Sequence, residues 1–219
     1  MKKVVIFGVL DTAELAHWYL VNDSDYEVVA FTVHSKHKKE ESFRGLPLVS
    51  FEGLADVYPP SEYYLFAPMT GRHMNKLREK VYLEGKEKGY NYISYISSKA
   101  TICDNEIGEN CFILEDNTIQ PFTKIGNNVV LWSGNHIGHH SVIEDHVFFT
   151  SHVVMSGHCK IGSHSFFGVN ATIRDYSTIA KGTLLAMGAS LNKQTTEEWK
   201  VYIGNPAKPK EGLISYEVY

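Results

Sequence analysis

A large apolar residue stands at every sixth position from Ile107 to Leu191, without one slip. The series runs Ile107, Ile113, Ile119, Ile125, Leu131, Ile137, Ile143, Phe149, Met155, Ile161, Phe167, Ile173, Ile179, Leu185, Leu191. A period of six suits neither a helix nor a half-buried strand. It is the pattern of a hexapeptide-repeat β-helix, whose coils stack and share one apolar core. Four residues after each anchor lies a small or narrow residue, among them Cys111, Asn117, Ser141, Cys159 and Ala189, as expected where a short strand nears a corner. Gly108, Gly126, Gly162 and Ala180 add a period of 18, with Glu144 as the exception. Three hexads per coil imply three faces and nearly five coils. The period does not set the handedness.

The first half follows other rules. Residues 3–7 (VVIFG), 26–33 (YEVVAFTV) and 63–67 (YYLFA) read as strands. Helical spacing covers Thr12 to Val21, with Asp11 and Glu14 placed as a capping box. A charged helix is expected over His73 to Lys88, with Met74, Leu77 and Val81 on one face, then a strand over Tyr92 to Ile96. Strand–helix alternation predicts a small α/β, Rossmann-like domain with a parallel sheet. The boundary falls near residue 97, giving units 1–97 and 98–219. The first strand-to-helix turn, Gly8-Val9-Leu10-Asp11, is a natural anion site. It lacks G-x-G-x-x-G, so a dinucleotide is not expected, while a nucleotide fits the crevice at the strand ends.

Composition removes several classes. Of 219 residues, 43% are hydrophobic and 21% charged, and the net charge is -4, which argues against a general nucleic-acid binder. Cys103, Cys111 and Cys159 form no C-x-x-C pair, which fits a reducing compartment. No stretch approaches the ~18 apolar residues of a membrane span, and the N-terminus lacks a signal peptide's cleavage site. The cytoplasm is the expected location.

The histidines divide by column. His140, His146, His152, His158 and His164 each lie three residues past an anchor, a slot otherwise filled mainly by Asn, Asp and Gly, with Phe122 and Tyr176 as exceptions. Such residues favour positive φ, so this row is expected at solvent-facing corners. His139 lies two past its anchor. Eighteen residues on, the same column holds Gly157, about one strand spacing of 4.8 Å away. An imidazole beside a bare backbone N–H can accept a proton while the N–H holds an oxyanion, which suits acyl transfer.

An α/β unit joined to an uninterrupted solenoid that ends in Y-I-G-N-P-A-K-P resembles the bacterial nucleotide-sugar acyltransferases, namely the bacillosamine, viosamine and perosamine N-acetyltransferases and the sialic acid O-acetyltransferase-like proteins. Residues 138–173 carry the most specific part. The resemblance implies a left-handed parallel β-helix, a homotrimer with active sites between subunits, and acetyl-CoA or another acyl-CoA as co-substrate, with no metal. It makes His139 the general base and Gly157 the oxyanion donor, with His140 in the catalytic set where the family usually has an acid. CoA would border Gly157, Val169, Gly188 and the tail Gly204, Asn205, Pro206, Ala207 and Lys208. Gly8, Val9, Asp11, His34, Asn75, Arg78 and His158 form the expected substrate side.

The expected reaction is therefore N-acylation of a nucleotide-linked amino sugar for surface polysaccharide synthesis. O-acetylation of a sugar hydroxyl would use the same residues. The stacked pairs His140/His158 and His146/His164 also raise a metal-dependent hydratase of the carbonic-anhydrase type. A sugar-binding scaffold is the non-catalytic alternative.

Overall fold

The structure, a computed structural model, describes residues 1–192 and 195–219. Its N-terminal part contains β1 (Lys2–Phe7), α1 (Asp11–Asn22), β2 (Tyr26–Val33), β3 (Ser42–Phe43), β4 (Leu46–Ser50), α2 (Leu54–Val57), β5 (Tyr63–Phe66) and α3 (Lys76–Glu87). The sheet order is β3-β4-β2-β1-β5, parallel throughout except for the β3-β4 hairpin. Val4, Val5 and Ile6 are all fully buried, as in a central strand covered on both faces.

Several local expectations need correction. Leu10, not Asp11, caps α1 and makes no side-chain cap bond. Asp11 and Glu14 lie inside the first turn, where their charge still complements the helix dipole. His73, Met74 and Asn75 all have positive φ, so α3 begins only at Lys76. The expected apolar stripe is broken as a result: Met74 and Val81 are buried, but Leu77 is exposed. β3 and β4 add a hairpin to the strands read from the sequence. The strand expected over 92–96 shrinks to Tyr95–Ile96 and joins the solenoid, pairing with Phe112–Ile113.

The solenoid has three parallel sheets of two-residue strands, and from Glu106 to Leu191 the paired residues are 18 apart. Ile119, Ile137, Met155, Ile173 and Leu191 stack on one face. Every anchor from Ile113 to Leu191 is buried in one continuous cluster, with Ile107 packed against its end. Every residue three past an anchor, from Asn110 to Gly188, has positive φ, as the corner reading requires.

The residue before each anchor points outward and marks which face is covered. Phe112, Val130, Phe148, Phe166 and Leu184 are apolar and buried, clustered with Ala13, Ala16 and Leu20 of α1 and with Phe66 and Met74. On the other faces Lys124, Val142, Lys160, Val154 and Thr172 are exposed. The α/β unit thus sits on one side of the prism. After residue 191 the hexads stop, and Lys193 and Gln194 of the expected 192–200 loop lie outside the described residues. Lys200–Ile203 then pairs with Leu184–Leu185 and, antiparallel, with Lys208–Ile214. Among the described residues no helix is long and apolar enough to cross a membrane.

Candidate active site

The period of 18 sorts the corner residues into three rows. One row holds Phe122, His140, His158 and Tyr176; the second Asn110, Asn128, His146, His164 and Gly182; the third Asp116, Gly134, His152, Asn170 and Gly188. The first row lies at the corner opposite the face that carries the α/β unit.

At that corner His139 is exposed and its ring lies against Gly157. A Cβ added to Gly157 would stand 2.9 Å from Cε1 and 3.0 Å from Nε2 of His139, so no side chain fits there. The Gly157 carbonyl accepts the Tyr176 N–H at 3.1 Å, while its own N–H has no acceptor among the described residues. His139 is fixed through its backbone: its N–H donates to Gln120 Oε1 at 3.0 Å, and its carbonyl accepts the His158 N–H at 2.8 Å. Its Nδ1 lies 3.0 Å from His140 Nδ1. Four rings climb the corner beside it. Phe122 and His140 are 4.7 Å apart, His140 and His158 5.0 Å, and His158 and Tyr176 4.6 Å, the last two pairs stacked. A proton acceptor beside an unpaired N–H on an open surface can serve a reaction that builds negative charge on oxygen.

The structure brings His139, His140, Gly157 and His158 together. Gln120, Phe122 and Tyr176 complete the group without having been singled out. The signal for two of them was present, since Phe122 and Tyr176 are the exceptions in the corner slot and share the His140 row. Gly8, Val9 and Asp11 lie at the carboxyl end of β1, half-buried to exposed. His34 follows β2, bonded to Glu84 at 2.7 Å and edge-on to Phe7 and Phe51. Val169 and Gly188 meet at the third corner, where the Gly188 N–H donates to the Val169 carbonyl, and not beside His139. In the tail, Gly204, Asn205, Pro206 and Lys208 are exposed. Ala207 is buried in the solenoid core, its N–H on the Ser190 carbonyl at 2.7 Å.

Asn75 and Arg78 lie in the interior. Both are fully buried. Arg78 donates to the backbone carbonyls of Asn128, His146 and Val147 and to Asn75 Oδ1, while Asn75 donates to the carbonyls of His164 and Ser165. They bolt α3 to the second corner. Burial lowers the Arg78 pKa to about 9, which leaves it charged at neutral pH.

His146 and His164 also depart from expectation. They are buried beneath α3, with Nε2 atoms 3.5 and 3.0 Å from the Glu79 carboxylate. Burial pushes the His146 pKa down to about 4, against the opposing pull of Glu79. The nitrogens and carboxylate of Glu79, His146 and His164 lie within 4.8 Å of one another, close enough for a metal. A relay of amides argues otherwise. The Ala67 N–H donates to Asn110 Oδ1, Asn110 Nδ2 to Asn128 Oδ1, and Asn128 Nδ2 to His146 Nδ1. His146 therefore carries its hydrogen on Nε2, the atom aimed at Glu79, and has no lone pair there for an ion. The group is a hydrogen-bonded clamp. At the first corner His139, His140 and His158 also converge within 4.8 Å, and there the Nδ1 atoms of His139 and His140 are hydrogen-bonded to each other.

Known proteins share this architecture. The family model for the bacterial transferase hexapeptide (six repeats) matches residues 106–139 and 122–157. A variant of perosamine N-acetyltransferase from Caulobacter crescentus, solved with CoA and GDP-perosamine, superposes with TM-score 0.83 at 20% identity, over 95% of this chain and 96% of that one. The acetyltransferase domain of PglB from Neisseria gonorrhoeae FA1090 gives 0.81 at 18%, over 96% and 100%. WeeI from Acinetobacter baumannii AYE gives 0.79 at 20%, over 94% and 99%. The fold is a small parallel α/β unit followed by a left-handed β-helix. No curated protein sequence matches the chain.

Proposed function

We propose that this protein transfers an acyl group, expected to be acetyl, from CoA to the amine of a nucleotide-linked amino sugar. The observation that carries the proposal is His139 laid against Gly157, whose N–H has no acceptor among the described residues, on an exposed corner. The amine nitrogen attacks the thioester carbonyl carbon, and the C=O pair moves onto oxygen, which the Gly157 N–H holds. His139 takes the proton from the nitrogen. The C–S bond then breaks, and the thiolate receives that proton. The perosamine enzyme that shares the fold was crystallised with CoA and GDP-perosamine, and this supports the same pair of ligand classes here.

The unit 1–97 is taken to bind the nucleotide, with Gly8, Val9, Asp11 and His34 lining the crevice beside β1 and β2. The unit 98–219 is taken to bind CoA and perform transfer. Geometry supports a site shared between copies. The α/β unit covers the face opposite His139, and Val169 and Gly188 sit at a different corner of the same chain. The clefts of ≈ 380 and ≈ 460 Å³ follow the seam between the two units and do not include His139. Packing of neighbouring copies around a three-fold axis would bring nucleotide crevice, CoA-bordering corner and base together. We take the assembly to be a homotrimer, working in the cytoplasm on precursors of a surface glycan.

The test is a mass-spectrometric screen of acetyl-CoA against UDP-, dTDP- and GDP-linked amino and hydroxy sugars. An acetylated amino sugar is expected. An acetylated hydroxy sugar alone would move the reaction to O-transfer, and no transfer to any acceptor would overturn it. His139→Ala should lose ~10²–10⁴-fold in turnover, the range for a positioned proton acceptor. A variant with near-normal turnover would remove His139 from the role.

A further inference from the structure

The contact between His139 Nδ1 and His140 Nδ1, at 3.0 Å, admits only one arrangement of hydrogens if His139 is the base. One nitrogen must donate and the other accept. If His140 donated, His139 would carry its hydrogen on Nε2, the atom beside Gly157, and could take no proton there. We infer that His139 donates through Nδ1–H and that His140, as an uncharged imidazole, accepts with its Nδ1 lone pair. This inference rests on the reading of His139 as proton acceptor.

In this arrangement His140 is a positioning residue. A neutral ring stands where other histidine bases lean on a carboxylate, so His139 gains orientation and tautomer without a fixed negative charge. When His139 takes the proton, its Nδ1–H becomes a charge-assisted donor to His140. The fold holds the acceptor still. His140 sits at a corner φ of 55°. Its ring is gripped between Phe122 at 4.7 Å and His158 at 5.0 Å, and the stack continues to Tyr176. His139 stands edge-on to His140 and to His158, at 5.1 and 5.0 Å between ring centroids. The Gln120 and His158 bonds to the His139 backbone fix the other end of the pair.

Two measurements test this. In long-range nitrogen–proton correlation spectra of the ¹⁵N-histidine-labelled protein at neutral pH, with His139→Ala and His140→Phe used for assignment, His139 should appear as the Nδ1–H tautomer and His140 as the Nε2–H tautomer. The reverse pair overturns the inference whether or not a substrate is known. In turnover with acetyl-CoA and the best acceptor of the screen, His140→Phe keeps the stack and removes the acceptor. It should lower kcat about 10- to 100-fold, part of what a positioned proton acceptor is worth, with KM for acetyl-CoA unchanged. His140→Asn restores a neutral acceptor at a φ that Asn tolerates, and should recover kcat to within a few-fold of the parent. A His140→Phe protein with parental kcat, or an Asn variant no better than Phe, overturns the positioning role while leaving His139 as base. An active His139→Ala protein removes both.

Discussion

Residue by residue, the same sequence slot has two fates. His140 and His158 stay at the open corner, whereas His146 and His164 are buried against Glu79. The buried pair carries a pH signature. An unfolded His146 titrates near its ordinary 6.5 and the folded one near about 4, so the folded state binds fewer protons between these values. Stability from this group is full above pH 6.5 and is lost as pH falls toward 4. The loss is of order 3 kcal/mol. Thermal melts at pH 7 and pH 4.5 should show this drop in the parent and a shallower one in His146→Gln; equal slopes would show that another group sets the acid limit. The pairing of His139 with Gly157 was readable because both belong to one solenoid and the period places them one coil apart. The burial of His146 was not, because α3 arrives from residues about seventy positions earlier, and nothing in the hexad records it.

The helix that buries them, α3, shows how an element can be misread while its residues are picked out correctly. Asn75 and Arg78 stand out in sequence, and they bond to each other and to carbonyls of the second corner. Arg78→Ala would strip the Asn128 and His146 carbonyls of their donor and open a cavity at a fully buried position, while the Val147 carbonyl keeps the Val130 N–H. Two buried acceptors left unpaired, at about 1–3 kcal/mol each, cost about 2–6 kcal/mol. Urea unfolding should show a loss of that size, with KM for the acceptor sugar unchanged in the folded fraction. A large KM change with stability intact would return Arg78 to the substrate side. The solenoid itself was almost fully legible, since each anchor depends on neighbours 18 residues away in the same pattern. So was the docking face, had the outward residues been read by row: Phe112, Val130, Phe148, Phe166 and Leu184 are all apolar, while the rows on the other faces mix in Lys, Thr and His.

For the whole molecule, the argument turns on where the base lies relative to the crevice. α1 reaches the third corner through Tyr19, whose hydroxyl donates to Glu115 at 2.6 Å, and α3 reaches the second through Arg78. The α/β unit therefore spans the face between those corners and leaves the His139 corner on the far side of its own prism. In the proposed homotrimer a crevice on one subunit serves the His139 of a neighbour, so the two halves of a site can be damaged on different chains. His139→Ala removes the base. Gly8→Val distorts the crevice, because Gly8 has a φ of +125° and a Cβ there would stand 3.1 Å from that of Ala13. Each variant alone should be inactive as a folded trimer. Co-expressed in equal amounts, they assemble at random, and an intact site needs a sound crevice on one chain and a sound corner on the next. That combination arises at about a quarter of the interfaces in a cyclic trimer. The co-expressed preparation should therefore recover roughly a quarter of parental turnover, since every mixed trimer carries one intact site of three and the pure trimers none. If crevice and base instead served each other within one chain, no mixture could restore a site and the mixed trimers would remain as inactive as their parents.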